Sequence, residues 1–96
     1  MIGVVATLKV QVDKTSEFEA VFLDLAAKVK ANEPGCLAYQ LTRSRAEAGA
    51  YKVLELYATA EDLKTHGSAD YFKAGGAALG PFMAGRPEIE YLDAVE

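Results

Sequence analysis

The chain has no tryptophan, one cysteine and one histidine, and each scarcity removes a class of site. A single cysteine cannot close a disulfide within the chain, and one cysteine with one histidine cannot furnish a typical zinc site. No glycine-rich phosphate loop or dinucleotide fingerprint is present. Carboxylates are plentiful enough to hold a hard cation, but no spacing among them points to one. We therefore expect no metal site.

The sequence also lacks an excess of positive charge and any long apolar run. Lysine and arginine number 10 against 14 acidic residues, so the net charge is -4 and the surface should repel phosphate backbones. No apolar segment approaches the ~20 residues needed to cross a bilayer. The first residues lack the basic start and apolar run of a signal peptide. We expect no nucleic-acid or membrane partner and a cytoplasmic location.

What is present is typical of a globular protein. Hydrophobic residues make up 51% of the 96 residues and charged residues 25%, which is far more apolar side chain than disordered chains carry. A chain of this length holds one hydrophobic core. No internal linker, repeat or low-complexity tract interrupts it. The sequence therefore predicts a single domain over residues 1–96.

Apolar periodicity predicts the order strand, helix, strand, strand, helix, strand. Alternation indicates strands, helical spacing indicates helices, and turn residues separate them. The predicted bounds are strands at 2–12, 37–43, 51–57 and 88–95, a long helix at 14–32, and a broken helical region at 59–79. Glu33-Pro34-Gly35-Cys36 predicts the turn that ends the long helix, because proline cannot continue a helix.

Four residues have the spacing expected of helix caps. Asp13, or Ser16 paired with Glu19, is expected to cap the long helix. Thr59 is expected to cap the short helix that ends near Gly67, and Ser68 the helix after it.

The element order favours a ferredoxin-like βαββαβ fold of the α+β class, with an antiparallel sheet and helices on one face. The third strand carries bulky apolar groups on both faces, among them Val53, Leu54, Leu56 and Tyr57. Helices can cover only one face. We expect a second copy of the chain to cover the other, giving a homodimer.

His66, the only histidine, is the candidate catalytic residue. An imidazole in water titrates near pH ~6.5, so both of its forms are available for acid-base chemistry in a cell. A structural interpretation stands beside this one, because a histidine near a helix C-terminus complements the helix dipole.

Glu55 and several aromatic residues are candidates for substrate binding. Glu55 shares a strand face with apolar neighbours, so it is either a buried carboxylate that orients a substrate or half of an ion pair across a subunit interface. The aromatic rings are candidates for the wall of a pocket for a flat molecule, or ordinary core residues. These candidates are Tyr39, Tyr57, Tyr71, Phe72 and Phe82.

Three segments carry a resemblance to a known family. At Glu33-Pro34-Gly35-Cys36-Leu37-Ala38-Tyr39, Glu55-Leu56-Tyr57 and Asp62-Leu63-Lys64-Thr65-His66, the chain resembles the antibiotic biosynthesis monooxygenases. Two positions depart from the family pattern: Tyr57 stands where members often have tryptophan, and Tyr71 stands where many have a second histidine. An aromatic wall survives both changes.

The resemblance implies a dimeric α+β barrel that oxidises a phenolic or quinol-type small molecule with dioxygen. It also implies that no metal or organic cofactor takes part, and that His66 removes the phenolic proton. A second hypothesis is that the chain has this fold but is not an enzyme. It would then be a non-catalytic dimeric barrel that binds a small apolar ligand.

Overall fold

The computed structural model describes residues 1–96 and contains four strands and three α-helices. Single 3-10 turns at Val12–Lys14 and Gly80–Phe82 flank the first and last helices. The main elements are β1 (Ile2–Lys9), α1 (Thr15–Asn32), β2 (Cys36–Arg43), β3 (Ala50–Tyr57), α2 (Ala60–Ser68), α3 (Asp70–Leu79) and β4 (Glu88–Asp93). The strands form one antiparallel sheet in the order β2-β3-β1-β4. This confirms the predicted ferredoxin-like α+β fold. None of the helices is both long and apolar enough to span a membrane.

The core lies between one face of the sheet and the helices. Alternate residues of the central strands point into it, as the pleat requires, and α1 places an apolar stripe over them. Buried residues of this core include Leu8, Phe18, Phe22, Val29, Tyr51 and Val53. A hydrogen bond of 2.5 Å from the Tyr51 hydroxyl to the Glu19 carboxylate ties β3 to α1.

The opposite sheet face has no helix against it. Leu54 of β3 is 45% exposed and Leu92 of β4 is 44% exposed, and Leu56 beside them is partly exposed. Val53 and Tyr57, which the alternation places on the other face of the strand, are both buried on the helix-covered face. The two-sided apolar pattern of β3 is therefore confirmed, with one face covered by helices and one uncovered.

Several local expectations were wrong. The first strand ends at Lys9, because Val10 leaves it to form an isolated bridge with Met83. Helix α1 has no side-chain cap. Ser68 is the last residue of α2, where its hydroxyl donates to the Lys64 carbonyl at 2.9 Å, so it does not cap α3. Thr59 was predicted correctly: its hydroxyl accepts from the Asp62 amide at 3.2 Å.

The turn after α1 holds the end of that helix against α2 and β3. Pro34 ends the helix, and the Gly35 carbonyl accepts from the Ala58 amide at 2.9 Å, just beyond the end of β3. An added methyl group at position 35 would overlap the Asp62 carboxylate of α2, so a larger residue there would displace that side chain. Glu33, the residue before Pro34, is thereby fixed beside α2.

Two adjacent glycines of α3 should respond oppositely to alanine. A Cβ at Gly75 would lie 3.0 Å from both methyl carbons of the buried Leu25, whereas a Cβ at Gly76 would meet nothing within 4 Å. Overpacking costs roughly 1–3 kcal/mol, and alanine gains about 1 kcal/mol over glycine in a helix. We expect Gly75→Ala to lower the melting temperature and Gly76→Ala to raise it. Thermal unfolding followed by circular dichroism measures both, and a higher melting temperature for Gly75→Ala would refute the tight α1–α3 contact.

Candidate active site

A cavity of about 290 Å³ lies between the sheet and helices α2 and α3. Hydrophobic residues form 13 of its 18 lining positions. All four strands contribute to the wall, through side chains on the helix-covered face of the sheet. Among the polar groups of the wall are the Glu55 carboxylate, the His66 imidazole and the Tyr39 hydroxyl. A few polar groups in an apolar concavity are typical of small-molecule sites.

His66 is held by a buried carboxylate. His66 and Glu33 are 4% and 5% exposed, and Nδ1 lies 3.0 Å and 3.1 Å from the two Glu33 carboxylate oxygens. The Tyr71 hydroxyl donates to the same carboxylate. Glu33 thus has two hydrogen-bond partners, and with its carboxylate as the acceptor Nδ1 is the donating nitrogen of the ring.

The other ring nitrogen, Nε2, is available to a ligand. It makes no hydrogen bond within the chain. Every side-chain nitrogen or oxygen that is fully buried does have a hydrogen-bond partner. Nε2 must therefore be accessible, and His66 lines the cavity. With its proton on Nδ1, a neutral imidazole presents the Nε2 lone pair to the cavity.

Three aromatic rings fix the plane of the imidazole. The Phe72 ring centroid lies 4.4 Å from that of His66, and the Tyr39 and Tyr57 centroids lie at 5.2 Å and 5.5 Å. Together with the Glu33 bond, these contacts leave the imidazole one orientation. A base held in this way needs no rearrangement before it accepts a proton.

Glu55 is a second carboxylate of the site, in a different setting. The Tyr57 hydroxyl donates to one of its oxygens at 2.7 Å, and the other oxygen has no partner within the chain and is therefore accessible. Burial raises the pKa of Glu55 above its usual value, against the opposing effects of the Tyr57 hydrogen bond and the His66 charge. Burial, with the neighbouring Glu55 charge, likewise raises the pKa of Tyr57.

The hydroxyl of Tyr39 is a further accessible group. Tyr39 is 5% exposed, its oxygen makes no hydrogen bond within the chain, and it lines the cavity. Burial, followed by the Glu55 charge, raises the pKa of Tyr39, so the hydroxyl keeps its proton at any working pH. Tyr39 is thus a permanent hydrogen-bond donor, and its ring centroid lies 5.2 Å from that of His66.

Cys36 lies near these groups but is a poor nucleophile. Burial, with the Glu33 and Glu55 charges, raises the pKa of its thiol to about 11. Reactive cysteines have lowered pKa values, because the thiolate is the nucleophile. No group of three or more histidine, cysteine or acidic side chains is close enough to hold a metal ion.

The structure gathers most of the residues predicted for the site. Those that line the cavity are Tyr39, Glu55, His66 and Phe72. Tyr57 and Tyr71 do not line the cavity. The Tyr57 hydroxyl donates to Glu55, and the Tyr71 hydroxyl donates to Glu33. Phe82 does not line the cavity: it belongs to the 3-10 turn after α3, where its ring packs on the core and its carbonyl accepts from the Gln11 amide at 2.8 Å. Its assignment to substrate binding stays a prediction that the cavity lining does not support.

Glu33 is the functional residue that sequence reasoning missed. It was interpreted only as the start of a turn, because 33 positions separate it from His66. One signal was available. An acidic residue at the C-terminus of a helix is opposed by the helix dipole, and Glu33 follows the last residue of α1. A carboxylate in that place needs a partner to offset the cost.

The cavity, its histidine–carboxylate pair and the ferredoxin-like sheet together define a small-molecule site in an α+β domain. A sequence profile described as antibiotic biosynthesis monooxygenase matches residues 1–78. The chain belongs to the antibiotic biosynthesis monooxygenase family. A comparison with curated proteins found no match.

Solved structures agree with this assignment. A Caulobacter crescentus protein assigned to the antibiotic biosynthesis monooxygenases is 77% identical, with a TM-score of 0.97 over 99% of this chain and 90% of that one. A conserved protein of Methanosarcina mazei is 25% identical, with a TM-score of 0.88 over 95% and 89% of the two chains. SnoaB, a cofactor-independent oxygenase from Streptomyces nogalater solved as a point mutant, shares the fold at 22% identity, with a TM-score of 0.83 over 99% and 93%.

The buried Glu55 carboxylate should make stability depend on pH. Because its pKa is raised from 4.5 in the folded state, the folded chain binds this proton more tightly than the unfolded chain does. Stability should therefore fall as pH rises from about 4.5 through the raised pKa. Glu55→Gln removes the ionisable group, so stability should no longer fall for this reason as pH rises. The variant keeps a side-chain oxygen that accepts from the Tyr57 hydroxyl. We expect the variant to melt as the wild type does below pH ~4.5 and at a higher temperature at pH 7. Melting curves across this range measure the difference, and a constant difference at every pH would contradict the assignment.

Proposed function

We propose that the protein is a cofactor-independent monooxygenase that oxidises a phenolic or quinol-type small molecule with dioxygen. The observation that carries the proposal is the His66–Glu33 pair: a buried imidazole, held at Nδ1 by a carboxylate, with Nε2 accessible from an apolar cavity. This arrangement suits the removal of a proton from a substrate hydroxyl. SnoaB, which shares the fold, is described as a cofactor-independent oxygenase.

The first step is deprotonation. A phenol in the cavity places its hydroxyl at Nε2, which takes the proton, and the Glu33 carboxylate stabilises the resulting imidazolium through Nδ1. Tyr71 holds Glu33 in place through its own hydrogen bond. The phenolate is far more easily oxidised than the phenol, so this step prepares the ring to react with dioxygen directly.

The oxidation needs no external reductant. The phenolate passes an electron to dioxygen, and the two combine at a ring carbon that carries hydrogen. Cleavage of the O–O bond leaves one oxygen as a new carbonyl of a quinone, and the other departs as water. That water takes the phenolic hydrogen and the hydrogen of the attacked carbon. The substrate supplies all four electrons that dioxygen accepts, so atoms and electrons balance.

Hydrogen bonds in the cavity would stabilise the oxygens that gain charge. The Tyr39 hydroxyl is a fixed donor that faces the cavity, and donors in an apolar, water-poor site stabilise an oxyanion more than they would in water. Glu55 would accept a hydrogen bond from a second substrate hydroxyl through its accessible oxygen.

The second hypothesis, a non-catalytic barrel that binds an apolar ligand, predicts a different cavity. It requires a wall without polar groups and a His66 ring turned to solvent. Instead, the wall includes accessible Nε2, hydroxyl and carboxylate groups, each of which costs free energy to bury. The geometry favours the enzyme.

The base assignment is tested by Glu33→Gln and His66→Gln. We expect each to slow oxidation by roughly 10²-fold to 10⁴-fold, because the first removes the carboxylate that fixes the imidazole and the second removes the base. Oxygen uptake with hydroquinones measures the rate, with spontaneous oxidation subtracted and a metal chelator present.

A matched pair of hydroxyl deletions provides the control. Tyr71→Phe removes a hydrogen bond to Glu33, and Tyr51→Phe removes one to Glu19 on the far side of the core. Only Tyr71→Phe should slow the reaction. His66 is buried, so its loss also costs stability, and rates should be taken where circular dichroism shows each variant folded. Wild-type rates in both Glu33→Gln and His66→Gln would refute the mechanism.

We also propose that the uncovered sheet face forms a homodimer. Leu54, Leu56 and Leu92 lie on this face, and an apolar patch of several residues is unusual on a monomer. Leu54→Lys should produce a monomer, because it places a charge in the interface. Leu23→Lys is the matched control, since Leu23 is an exposed leucine of α1.

Light scattering at micromolar concentration should give twice the chain mass of 10.3 kDa for the wild type and Leu23→Lys. Leu54→Lys should give the mass of one chain. A monomeric wild type would contradict the proposed dimer.

A further inference from the structure

Two of the residues that line the cavity are glycines, and packing requires glycine at neither. Gly67 lies in α2 and Gly76 in α3, and a Cβ built on either one meets nothing within 4 Å. Gly75, the neighbour of Gly76, is different, because the Leu25 side chain fills the space beside it.

Both glycines lie on the helix face that is turned to the cavity. Phe72, Gly76 and Leu79 line it from α3 at a spacing of four and then three residues, which places them on one side of a helix. Gly67 stands in the same relation to Leu63 on α2, four residues away. A side chain at either glycine would therefore extend the cavity wall.

Glycine at position 76 destabilises the helix that contains it. It lies inside α3, three residues before the end, where glycine is the least favourable residue after proline. Neither a close contact nor a positive φ explains it, since Gly49 is the only residue with positive φ. Because glycine has no side chain, the space beside position 76 at the cavity wall is open.

That space is at the cavity's opening. Residues that line the cavity and are also exposed to solvent define its mouth, and they are Gly67, Gly76, Pro87, Ile89 and Tyr91. On the β4 side of the mouth, Tyr91 is 64% exposed and Ile89 is 47% exposed. One side of the mouth thus carries large apolar groups, and the helical side carries none.

We propose that Gly67 and Gly76 determine which substrates the site accepts, by leaving a gap through which an apolar extension of the substrate passes. Both glycines are exposed at the mouth, so a group attached to a ring bound in the cavity can extend to the outside between them and β4. The phenolic hydroxyl lies at His66 Nε2, and the extension lies between the glycines and Tyr91. The substrate class is a phenol or hydroquinone that carries a further ring. The position of the hydroxyl rests on the proposed function; the size limit at the mouth does not.

Binding of two probes without dioxygen tests the gap apart from turnover. Hydroquinone and phenylhydroquinone have the same reacting ring, and only the second carries an extension. Each is titrated anaerobically into the wild type, Gly76→Leu and Ala77→Leu, and the dissociation constant is measured by calorimetry. Ala77 is the matched control, because it is the next residue of α3, is exposed and does not line the cavity.

Gly76→Leu should weaken phenylhydroquinone about tenfold or more and change hydroquinone by less than about twofold, because the new side chain fills only the mouth. Ala77→Leu should change neither. Gly67→Leu should repeat the selective loss from the other helix, and melting curves should show every variant folded. Equal weakening of both probes, no weakening of either, or a wild type that does not bind phenylhydroquinone would overturn the proposal.

An aerobic arm separates this proposal from the catalytic one. Oxygen uptake by the wild type with the same two probes tests the chemistry alone. If Gly76→Leu selectively weakens phenylhydroquinone binding but the wild type takes up no oxygen, the gap proposal stands and the monooxygenase proposal is refuted. Uptake with both probes, unchanged in Gly76→Leu, would uphold the monooxygenase and refute the gap.

Discussion

The buried Glu33 carboxylate is the group on which the rest of the site depends. It lies at the end of α1, accepts from His66 in the last turn of α2, and accepts from Tyr71 in the first turn of α3. A buried charge is costly unless it is paired and hydrogen-bonded. Glu33 meets this condition only when three helix ends converge. The same contacts that compensate the carboxylate therefore orient the imidazole, so the fold and the base depend on one another.

The two carboxylates of the site have different environments, and this separates their roles. Glu33 has two hydrogen-bond partners and does not itself line the cavity, whereas Glu55 lines it with one donor and one accessible oxygen. Burial disfavours the charge of Glu55. Glu33 is thus a fixed counter-charge, and Glu55 is the carboxylate that a ligand can reach.

Much of the fold could be predicted from the sequence, because it rests on local signals. Alternation in the strands, the helical stripe of α1, the Pro34 turn and the Thr59 cap each act over a few residues. The single histidine could be singled out for the same reason. Glu33 could not, since its role arises from an approach of helix ends that no local pattern encodes. Ser68 shows the converse error: it has the right residue type at a plausible spacing for a helix cap, but its hydroxyl donates to the Lys64 carbonyl instead.

The sheet order has a consequence for how a ligand enters the site. Strand β4 is an edge strand that pairs only with β1, while β1 and β3 each have two neighbours. All six of its residues are exposed. Local opening of a structure begins where few buried contacts hold it. The wall of the mouth that carries Ile89 and Tyr91 thus belongs to an edge strand, whose outward backbone amides should exchange faster than those of β1 and β3. The His66–Glu33 pair lies on the opposite, helical side, so local opening of β4 need not disturb it.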